Sequence, residues 1–367
     1  MKKYLLNKLC DLISIRSFSG QEEKIASYIF NELKRNNIRA KKDSAGNVLA
    51  FAGKGKKRLI VNGHMDTVDI VDGWKTNPLK PKISGGKIYG LGASDMKSGL
   101  AVMLELAKTV KPNIEVIFAF TVCEEGSTIQ GNVNGVKELI KKYTADYAIT
   151  CESSVVDGKL SLCLGCQGRA AADISVFGKA AHSSKYECGK NAIYDACKIT
   201  EKVEKYGESL KPIKVYKDCT IKPSISVVAI EAEGGKTRNI IPDLCKVYVD
   251  RRLSLGENLN TFKKEVAGFT KGIDCSIKFI HTSNAAITDM SGKLFKTALK
   301  CYKEKYGKES LYFGRGRLDL VFFAGENMEI LNMGPGLAGQ AHTANEHCRI
   351  SDMEDCAVLL KDIIERI

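Results

Sequence analysis

Residues 115–122 form an almost unbroken apolar run, EVIFAFTV, and this run constrains the fold more than any other segment. A strand that is apolar on both sides of its pleat must be covered on both faces of its sheet. Residues 47–52, 58–61 and 146–150 have a similar strand-like composition, and residues 97–110 repeat with helical periodicity. Strands that alternate with helices predict an α/β fold, here a three-layer domain around a mixed, mostly parallel sheet.

The pattern changes near residue 169, where strands with one polar face replace the fully apolar strands. Strands are predicted at 169–176, 224–231, 245–253 and 275–281, with helices at 191–206 and 261–269. After residue 284 the first pattern returns, with helices at 294–303 and 353–364 and strands near Val321 and at 330–333. The chain is therefore predicted to form a main domain from residues 1–168 and 283–367, interrupted by a small α+β domain from residues 169–282.

The formal net charge of +13 raises the question of a nucleic-acid partner. The lysines are spread along the whole chain and form no tail, no basic helix and no stripe interleaved with aromatic residues. A solvated, lysine-rich surface is the better interpretation, and no nucleic-acid partner is predicted. The electrostatic field of a positively charged protein favours the approach of small anionic substrates.

Three features predict a cytoplasmic protein without a membrane partner. No run reaches the ~18 apolar residues that a membrane span needs. The apolar N-terminal segment is interrupted by Asn7, Lys8 and Asp11, and no signal-peptide cleavage site follows it. The 13 cysteines are odd in number and scattered, which favours reduced thiols over a disulfide framework.

Five acidic or imidazole side chains lie at the predicted ends of strands, namely His64, Asp95, Glu125, Glu152 and His342. The carboxyl ends of strands in an open α/β sheet converge on one crevice, so these side chains are expected to meet. Each one alone has an ordinary explanation, since a lone aspartate often caps a helix and a lone histidine is often structural. Together they predict a metal site.

Two divalent ions about 3.5–4 Å apart can polarise a carbonyl group and generate hydroxide at neutral pH. Holding both ions takes one bridging carboxylate, with one imidazole and one further carboxylate for each ion. We predict that Asp95 bridges, that His64 and Glu152 complete one site, and that Glu125 and His342 complete the other. Ligands without thiolate suit zinc, cobalt or manganese, and zinc is the expected cofactor.

Asp66 and Glu124 are predicted to assist these ligands. Residues two apart in an extended segment share a face, so Asp66 can accept a hydrogen bond from the far ring nitrogen of His64. Adjacent strand residues point in opposite directions, but a turn at Gly126 can let both Glu124 and Glu125 reach the site. Glu124 then takes a proton from the attacking water and passes it to the leaving amine.

The motifs HMD at 64–66, DMK at 95–97, EEG at 124–126 and GPG at 334–336, followed by HTANE at 342–346, resemble the M20 family of metallopeptidases. That family includes acetylornithine deacetylase, succinyl-diaminopimelate desuccinylase, glutamate carboxypeptidase and aminoacylase-type enzymes, and the resemblance covers nearly the whole chain. It implies a catalytic main domain, an inserted lid domain that forms a homodimer, and the ligand assignments above. It also implies that Glu124 is the base and that the Asp95–Met96 peptide bond is cis.

Three segments of the predicted lid resemble further family motifs. The segment GKAAHS at 178–183 implies that His182 stabilises the oxyanion in a neighbouring subunit's site. The segment TRNIIP at 237–242 implies substrate binding by Asn239, and DRR at 250–252 implies that Arg252 grips a substrate carboxylate in bidentate fashion. An exposed loop histidine, a turn asparagine and a strand-end arginine are also ordinary structural features.

One segment departs from the family pattern. Many members carry a sequence similar to GGTSD before the last strand, whereas this chain has GRGRLD at 314–319. Gly316, a predicted substrate-binding position, and Asp319 are kept, and the Thr-Ser pair is lost. Arg315 and Arg317 either bind an acidic group of the substrate or are simply solvated.

The predicted function is release of an amino acid from a small N-acyl amino acid or a related short peptide. In the family, glutamate at the position of Glu152 accompanies acyl and carboxypeptidase activities, and aspartate accompanies aminopeptidases. A di- or tripeptide aminopeptidase is therefore the first alternative. A non-catalytic binding protein on the same fold is a weaker alternative, because this sequence has lost none of the ligands.

Overall fold

The computed structural model describes residues 1–126, 132–234 and 238–367, apart from the side chains of residues 281 and 282. The described residues form two compact units. The main unit consists of Met1–Gly165, Ile287–Gly314 and Leu318–Ile367, and the inserted unit consists of Cys166–Ala286 and Arg315–Arg317. The sequence-based boundaries, 168/169 and 282/283, lie within a few residues of these limits, and the sequence pattern did not separate residues 315–317 from the main domain.

Helices and strands follow each other along the chain, together with a 3₁₀ helix at Ser183–Cys188. The α-helices are α1 (Lys2–Ser14), α2 (Glu23–Arg35), α3 (Lys97–Thr109), α4 (Gly135–Ile140), α5 (Ala192–Ser209), α6 (Leu259–Thr270), α7 (Lys293–Tyr306), α8 (Leu320–Ala324) and α9 (Ile350–Arg366). The strands up to the inserted unit are β1 (Arg39–Lys42), β2 (Val48–Ala52), β3 (Arg58–His64), β4 (Lys82–Ser84), β5 (Lys87–Tyr89), β6 (Glu115–Thr121), β7 (Tyr147–Val156), β8 (Lys159–Leu160) and β9 (Leu162–Cys166). The later strands are β10 (Gly168–Phe177), β11 (Ala181–His182), β12 (Ile213–Tyr216), β13 (Cys219–Ile221), β14 (Ser224–Ala232), β15 (Ile240–Ile241), β16 (Leu244–Leu253), β17 (Cys275–Ser283), β18 (Ala286–Ile287), β19 (Leu311–Gly314), β20 (Glu329–Leu337) and β21 (His347–Arg349).

The large sheet runs in the order β1-β2-β6-β3-β7-β20-β9-β18. Its four central strands, β6, β3, β7 and β20, are parallel neighbours. Strands β1 and β2 join β6 in antiparallel fashion on one side, and β9 is antiparallel to β20 on the other. The predicted α/β fold with a mixed sheet is confirmed, and its parallel strands form the centre.

Both faces of the central strands are covered, as their apolar composition requires. On β3, Leu59 and Val61 belong to the main core beneath α1, α2, α3, α7 and α9. Ile60 lies between them, is fully buried and points to the opposite face. On that face α8 packs against β7 and β20, and α4 contacts α8. The main unit therefore has three layers.

Helix α8 corrects one prediction. The apolar residues near Val321 were expected to form a strand, and they form the short helix Leu320–Ala324. Periodicity cannot separate a short apolar strand from a buried helical turn, so the packing against β20 decides the conformation here.

The inserted unit contains an antiparallel four-stranded sheet in the order β14-β16-β10-β17. Burial alternates along β10, as the pattern of polar and apolar residues predicted. Helices α5 and α6 cover one face of this sheet and close a separate core that includes Phe262 and Val249. Across the described parts of both units, no helix combines the length and apolar character needed to cross a membrane.

Candidate metal centre

The order of strands brings the five predicted ligands together near the carboxyl-terminal ends of the central strands of the large sheet. His64 is the last residue of β3, and Glu125 follows the end of β6. Asp95 comes just before α3, and His342 follows β20. Glu152 differs from the expectation, because β7 continues to Val156 and places it inside the strand. Neighbouring parallel strands end side by side, so distant positions in the chain become close in space.

The ligand atoms form two groups that share Asp95. In one group, His64 Nε2 lies 3.2 Å from Asp95 Oδ1, and Glu152 is the third member. In the other, His342 Nε2 lies 2.9 Å from Glu125 Oε1 and 3.9 Å from Asp95 Oδ2. The atoms within each group lie within 4.8 Å of one another. Two ions that share one carboxylate require this arrangement.

The carboxylates of this site are close together and poorly solvated. Burial, followed by the charge of Glu124, raises the pKa of Glu152 well above its ordinary value. Burial and the charge of Asp95 raise the pKa of Glu125. One oxygen of Glu152 is buried without a hydrogen-bond partner among the described residues. A buried carboxylate without a partner is costly, and a bound cation would remove that cost, so the site fits divalent ions.

Neighbouring carboxylates raise the pKa values of both imidazoles. Burial disfavours protonation of His64, but hydrogen bonds with Asp66 and Asp95 outweigh it and raise its pKa well above the ordinary value. The hydrogen bond with Glu125 raises the pKa of His342 to about 9. In the metal-free protein these histidines therefore act as the counter-charges of the carboxylates, and a metal ion has to replace their protons.

Asp66 contacts His64 through its backbone carbonyl and its carboxylate, and the carboxylate also binds the loop of the two glutamates. The nearest acceptor for His64 Nδ1 is the backbone carbonyl of Asp66 at 3.0 Å, whereas the carboxylate Oδ1 lies 3.5 Å away. The carboxylate accepts the Ser19 hydroxyl at 2.6 Å and the backbone N–H groups of Glu124 and Glu125 at 3.1 and 3.0 Å. Asp66 thus holds both the histidine ring and the loop that carries the two glutamates.

The turn that directs both glutamates to the site lies earlier than expected. Cys123, rather than Gly126, has the left-handed backbone conformation, with φ of 60°. This conformation is uncommon for a residue with a side chain and reverses the strand alternation immediately before Glu124. His342 also has a positive φ, 61°, so two ligand-bearing loops are held in rarely adopted conformations.

Several residues outside the predicted set form hydrogen bonds with the segments that carry the ligands. Glu346 accepts backbone N–H groups from the loop that carries Asp95. The side-chain oxygen of Asn332 accepts the backbone N–H of Glu152 and the hydroxyl of Thr150. The position of Glu346 in the HTANE motif was the only sequence signal for any of these residues.

The expected cis peptide bond between Asp95 and Met96 is present.

The four predicted lid and loop residues lie in the inserted unit. His182 on β11 pairs with Ile240 on β15, which brings its Nε2 to 3.4 Å from the side-chain nitrogen of Asn239. Thr237 of the same motif lies outside the described residues. Arg252 is partly exposed, and its Nε donates to Asp250 at 3.0 Å.

The neighbouring Arg251 has a different environment from Arg252. It is fully buried and is bound by Glu257 and Glu265, so it has a structural role. Gly316 lies in an exposed turn with open space around its Cα.

The main unit is a three-layer α/β unit that gathers two imidazoles and four carboxylates near its strand ends, and one aspartate is shared by two candidate ligand groups. This is the arrangement of a metal-dependent hydrolase. The family model of peptidase family M20/M25/M40 matches residues 60–366. The chain belongs to this family, which confirms the predicted class of enzyme, a hydrolase of linear amide or peptide bonds. The family and the ligand groups also support the predicted requirement for divalent metal ions.

Individual relatives cover nearly the full chain. The succinyl-diaminopimelate desuccinylase of Corynebacterium glutamicum is 28% identical over 370 residues, which cover 96% of this chain and 94% of the relative. The structure of a tripeptidase from Staphylococcus aureus has a TM-score of 0.80 at 21% identity and covers 100% of this chain and 98% of that one. An M20 metallo-carboxypeptidase from Sulfolobus solfataricus has a TM-score of 0.79 at 20% identity, with 98% of each chain covered. Both structures share the fold.

Proposed function

We propose that this chain is a dinuclear metal amidohydrolase that releases an amino acid from a small N-acyl amino acid. The observation that carries the proposal is the pair of ligand groups that meet at Asp95, with Glu124 beside them. The similarity to succinyl-diaminopimelate desuccinylases over nearly the whole chain favours an N-acyl substrate with an acidic acyl group. The alternative is a di- or tripeptide aminopeptidase, favoured by the fold shared with a tripeptidase.

The proposed ligands are His64 and Glu152 for one ion, Glu125 and His342 for the other, and Asp95 for both. Divalent ions in these positions would polarise the scissile carbonyl and lower the pKa of the attacking water. Zinc is the metal we propose, because imidazole and carboxylate ligands without thiolate suit it, with cobalt and manganese as substitutes.

The proton transfers are assigned to Glu124. Its side chain is 5% exposed and lies within the same cluster as His64 and Glu125. A carboxylate in this position removes a proton from the attacking water and delivers it to the nitrogen of the leaving amino acid. Asp66 contributes by fixing His64 and the backbone of both glutamates.

The substrate-binding roles are assigned to residues of the inserted unit. His182 and Asn239, neighbours in the β11–β15 ladder, would donate hydrogen bonds to the oxyanion and to the substrate. Arg252 is the proposed partner of the substrate carboxylate, since Arg251 is committed to Glu257 and Glu265. Gly316, in its exposed turn, would allow the substrate to approach the backbone closely.

We also propose a cytoplasmic homodimer that forms through the inserted unit. Thirteen free cysteines, spread over both units, support a reducing compartment. Strand β14 is an edge strand with the exposed apolar side chains Val228 and Ile230, which supports pairing with a second copy. Analytical ultracentrifugation of the chain and of a Val228→Lys variant tests this assembly.

A substrate panel tests the proposed function. The metal-loaded protein is assayed with N-succinyl-diaminopimelate, N-acetylornithine and an unblocked tripeptide, each with zinc, cobalt or manganese. We expect turnover of at least one N-acyl amino acid and little turnover of the tripeptide. Cleavage of the free-amino tripeptide alone would establish the aminopeptidase alternative, and failure to bind stoichiometric metal would favour a non-catalytic protein.

A further inference from the structure

Glu346 is a buried carboxylate to which the proposed chemistry assigns no role. It is 3% exposed and lies four residues after His342. The ligand groups described above do not include it. Its carboxylate instead accepts the backbone N–H groups of Gly92, Ser94 and Asp95 at 2.8, 2.6 and 2.7 Å.

These contacts connect two segments that are distant in the sequence. One segment carries His342, and the other is the loop that ends in Asp95. The backbone carbonyl of Glu346 adds a fourth contact by accepting the N–H of Gly90 at 3.1 Å. The same loop is held from the side of β7, because the Ser153 hydroxyl donates to the Ser94 carbonyl at 2.9 Å.

A buried carboxylate is costly unless its oxygens are satisfied, and three N–H donors satisfy Glu346. In an isolated loop nothing would turn these three N–H groups toward one point, so the carboxylate of Glu346 fixes the loop conformation. The loop conformation in turn fixes the direction of the Asp95 side chain, whose oxygens lie near His64 on one side and His342 on the other.

We propose that Glu346 is a positioning residue that sets the bridging Asp95 in register with His342, so that both ions are bound at the required spacing. This proposal rests on the proposed dinuclear metal site. Outer groups that orient metal ligands typically contribute 10–100-fold to metal affinity or activity, and a role of about this size is expected for Glu346.

The test compares Glu346→Gln and Glu346→Asp with the parent protein. The glutamine keeps the shape but turns a nitrogen donor toward a backbone N–H, and the aspartate keeps the charge but shortens the side chain. Metal affinity is measured by competition with a chromogenic chelator, and the visible spectrum of the cobalt-loaded protein reports ligand geometry. We expect E346Q to bind metal about 10–100-fold more weakly, with an altered cobalt spectrum and a lower kcat.

Glu329→Gln is the matched control. Glu329 also accepts a backbone N–H, that of Leu294 at 2.7 Å, at the opposite end of β20 from the metal ligands. This variant is expected to lose some stability while its metal affinity and cobalt spectrum stay those of the parent.

The outcomes separate the two proposals. A parent protein that fails to bind two ions would overturn the proposed function. A parent that binds two ions, together with an E346Q that matches E329Q in affinity and cobalt spectrum, would overturn the role of Glu346 alone. If E346Q does not fold, E346D is judged by the same two readouts.

Discussion

Single residues of the metal centre differ mainly in what their carboxylates contact. Asp95 faces both imidazoles, Asp66 faces backbone N–H groups and Ser19, and Glu152 keeps an oxygen without a hydrogen-bond partner among the described residues. These contacts predict that substitutions of chemically similar residues will have different effects. One substitution and two pH dependences test the assignment at this scale.

Glu124→Gln should strongly reduce turnover while metal binding is kept. The amide cannot accept the proton of the attacking water, so kcat is expected to fall by about 10²–10⁴-fold. Metal content by mass spectrometry and kcat in the same preparation are the measurements. The exposed Glu326→Gln is the control and should leave both unchanged. A Glu124→Gln protein with near-normal kcat would remove Glu124 as the base.

Metal affinity should rise with pH. The hydrogen bond that His342 donates to Glu125 raises the pKa of His342 to about 9, so at neutral pH a metal ion has to displace its proton. The raised pKa of Glu125 acts in the same direction. For each proton released, the apparent affinity should increase about tenfold per pH unit up to about pH 9. Chelator competition between about pH 6.5 and pH 8.5 measures this, and a constant affinity would contradict it.

The same histidine affects the metal-free fold with the opposite sign. A raised pKa stabilises the folded state fully below the unfolded pKa of about 6.5. That contribution disappears as the pH rises through about 9. The metal-free protein should therefore lose stability over the pH range in which metal binding becomes stronger, and thermal unfolding with and without a chelator shows both trends.

At the scale of elements, close backbone contacts set the distance between the strands and helices that carry ligands. Helix α3 starts just after Asp95, and it approaches β7, which carries Glu152, through Gly99. A Cβ atom on Gly99 would lie 2.3 Å from the carbonyl oxygen of Cys151. Backbone atoms cannot move aside as a flexible side chain can, so the glycine determines this spacing.

Gly99→Ala should destabilise the protein by about 1–3 kcal/mol, although alanine is the better helix former. It should also weaken metal binding, because α3 and β7 would have to separate. Gly268→Ala in α6 is the matched control, since no atom lies within 4 Å of its added Cβ. That variant should be unchanged or up to about 1 kcal/mol more stable in urea denaturation. Equal behaviour of the two variants would show that the contact at Gly99 relaxes freely.

Element prediction from the sequence succeeded where the pattern was long and failed where it was short. The buried strand β6 and the helix α3 follow from their composition almost to the residue. The helix at Leu320–Ala324 and the continuation of β7 past Glu152 do not, because tertiary contacts decide both. The turn at Cys123 has no sequence signal, since cysteine rarely adopts a positive φ.

At the scale of the whole molecule, each unit has its own apolar core. The proposed ligands all belong to the main unit, so metal binding should stabilise that unit directly. We expect calorimetry to show two transitions, one of which moves to higher temperature on addition of zinc. At free zinc about 100-fold above Kd, the gain is about 2.7 kcal/mol for each bound ion.

Phe262→Ala identifies the other transition. Phe262 is fully buried in the core of the inserted unit, and its truncation should cost about 3–5 kcal/mol there. The zinc-dependent transition should keep its midpoint in this variant. A single transition that responds as a whole to both zinc and Phe262→Ala would show that the two cores unfold together.

The sequence by itself determined the α/β architecture, and it predicted the interruption by a second unit and the residue types of the candidate metal site. Hydrophobic periodicity is local, and the chemistry of carboxylates and imidazoles is a property of the residues themselves. Only the tertiary structure decided that Asp66 holds the loop of Glu124 and Glu125, and that Glu346 holds the loop of Asp95. Asp66 and Glu346 accept N–H groups from residues that are 58 and 251 positions away in the chain. No local sequence pattern encodes contacts over such separations.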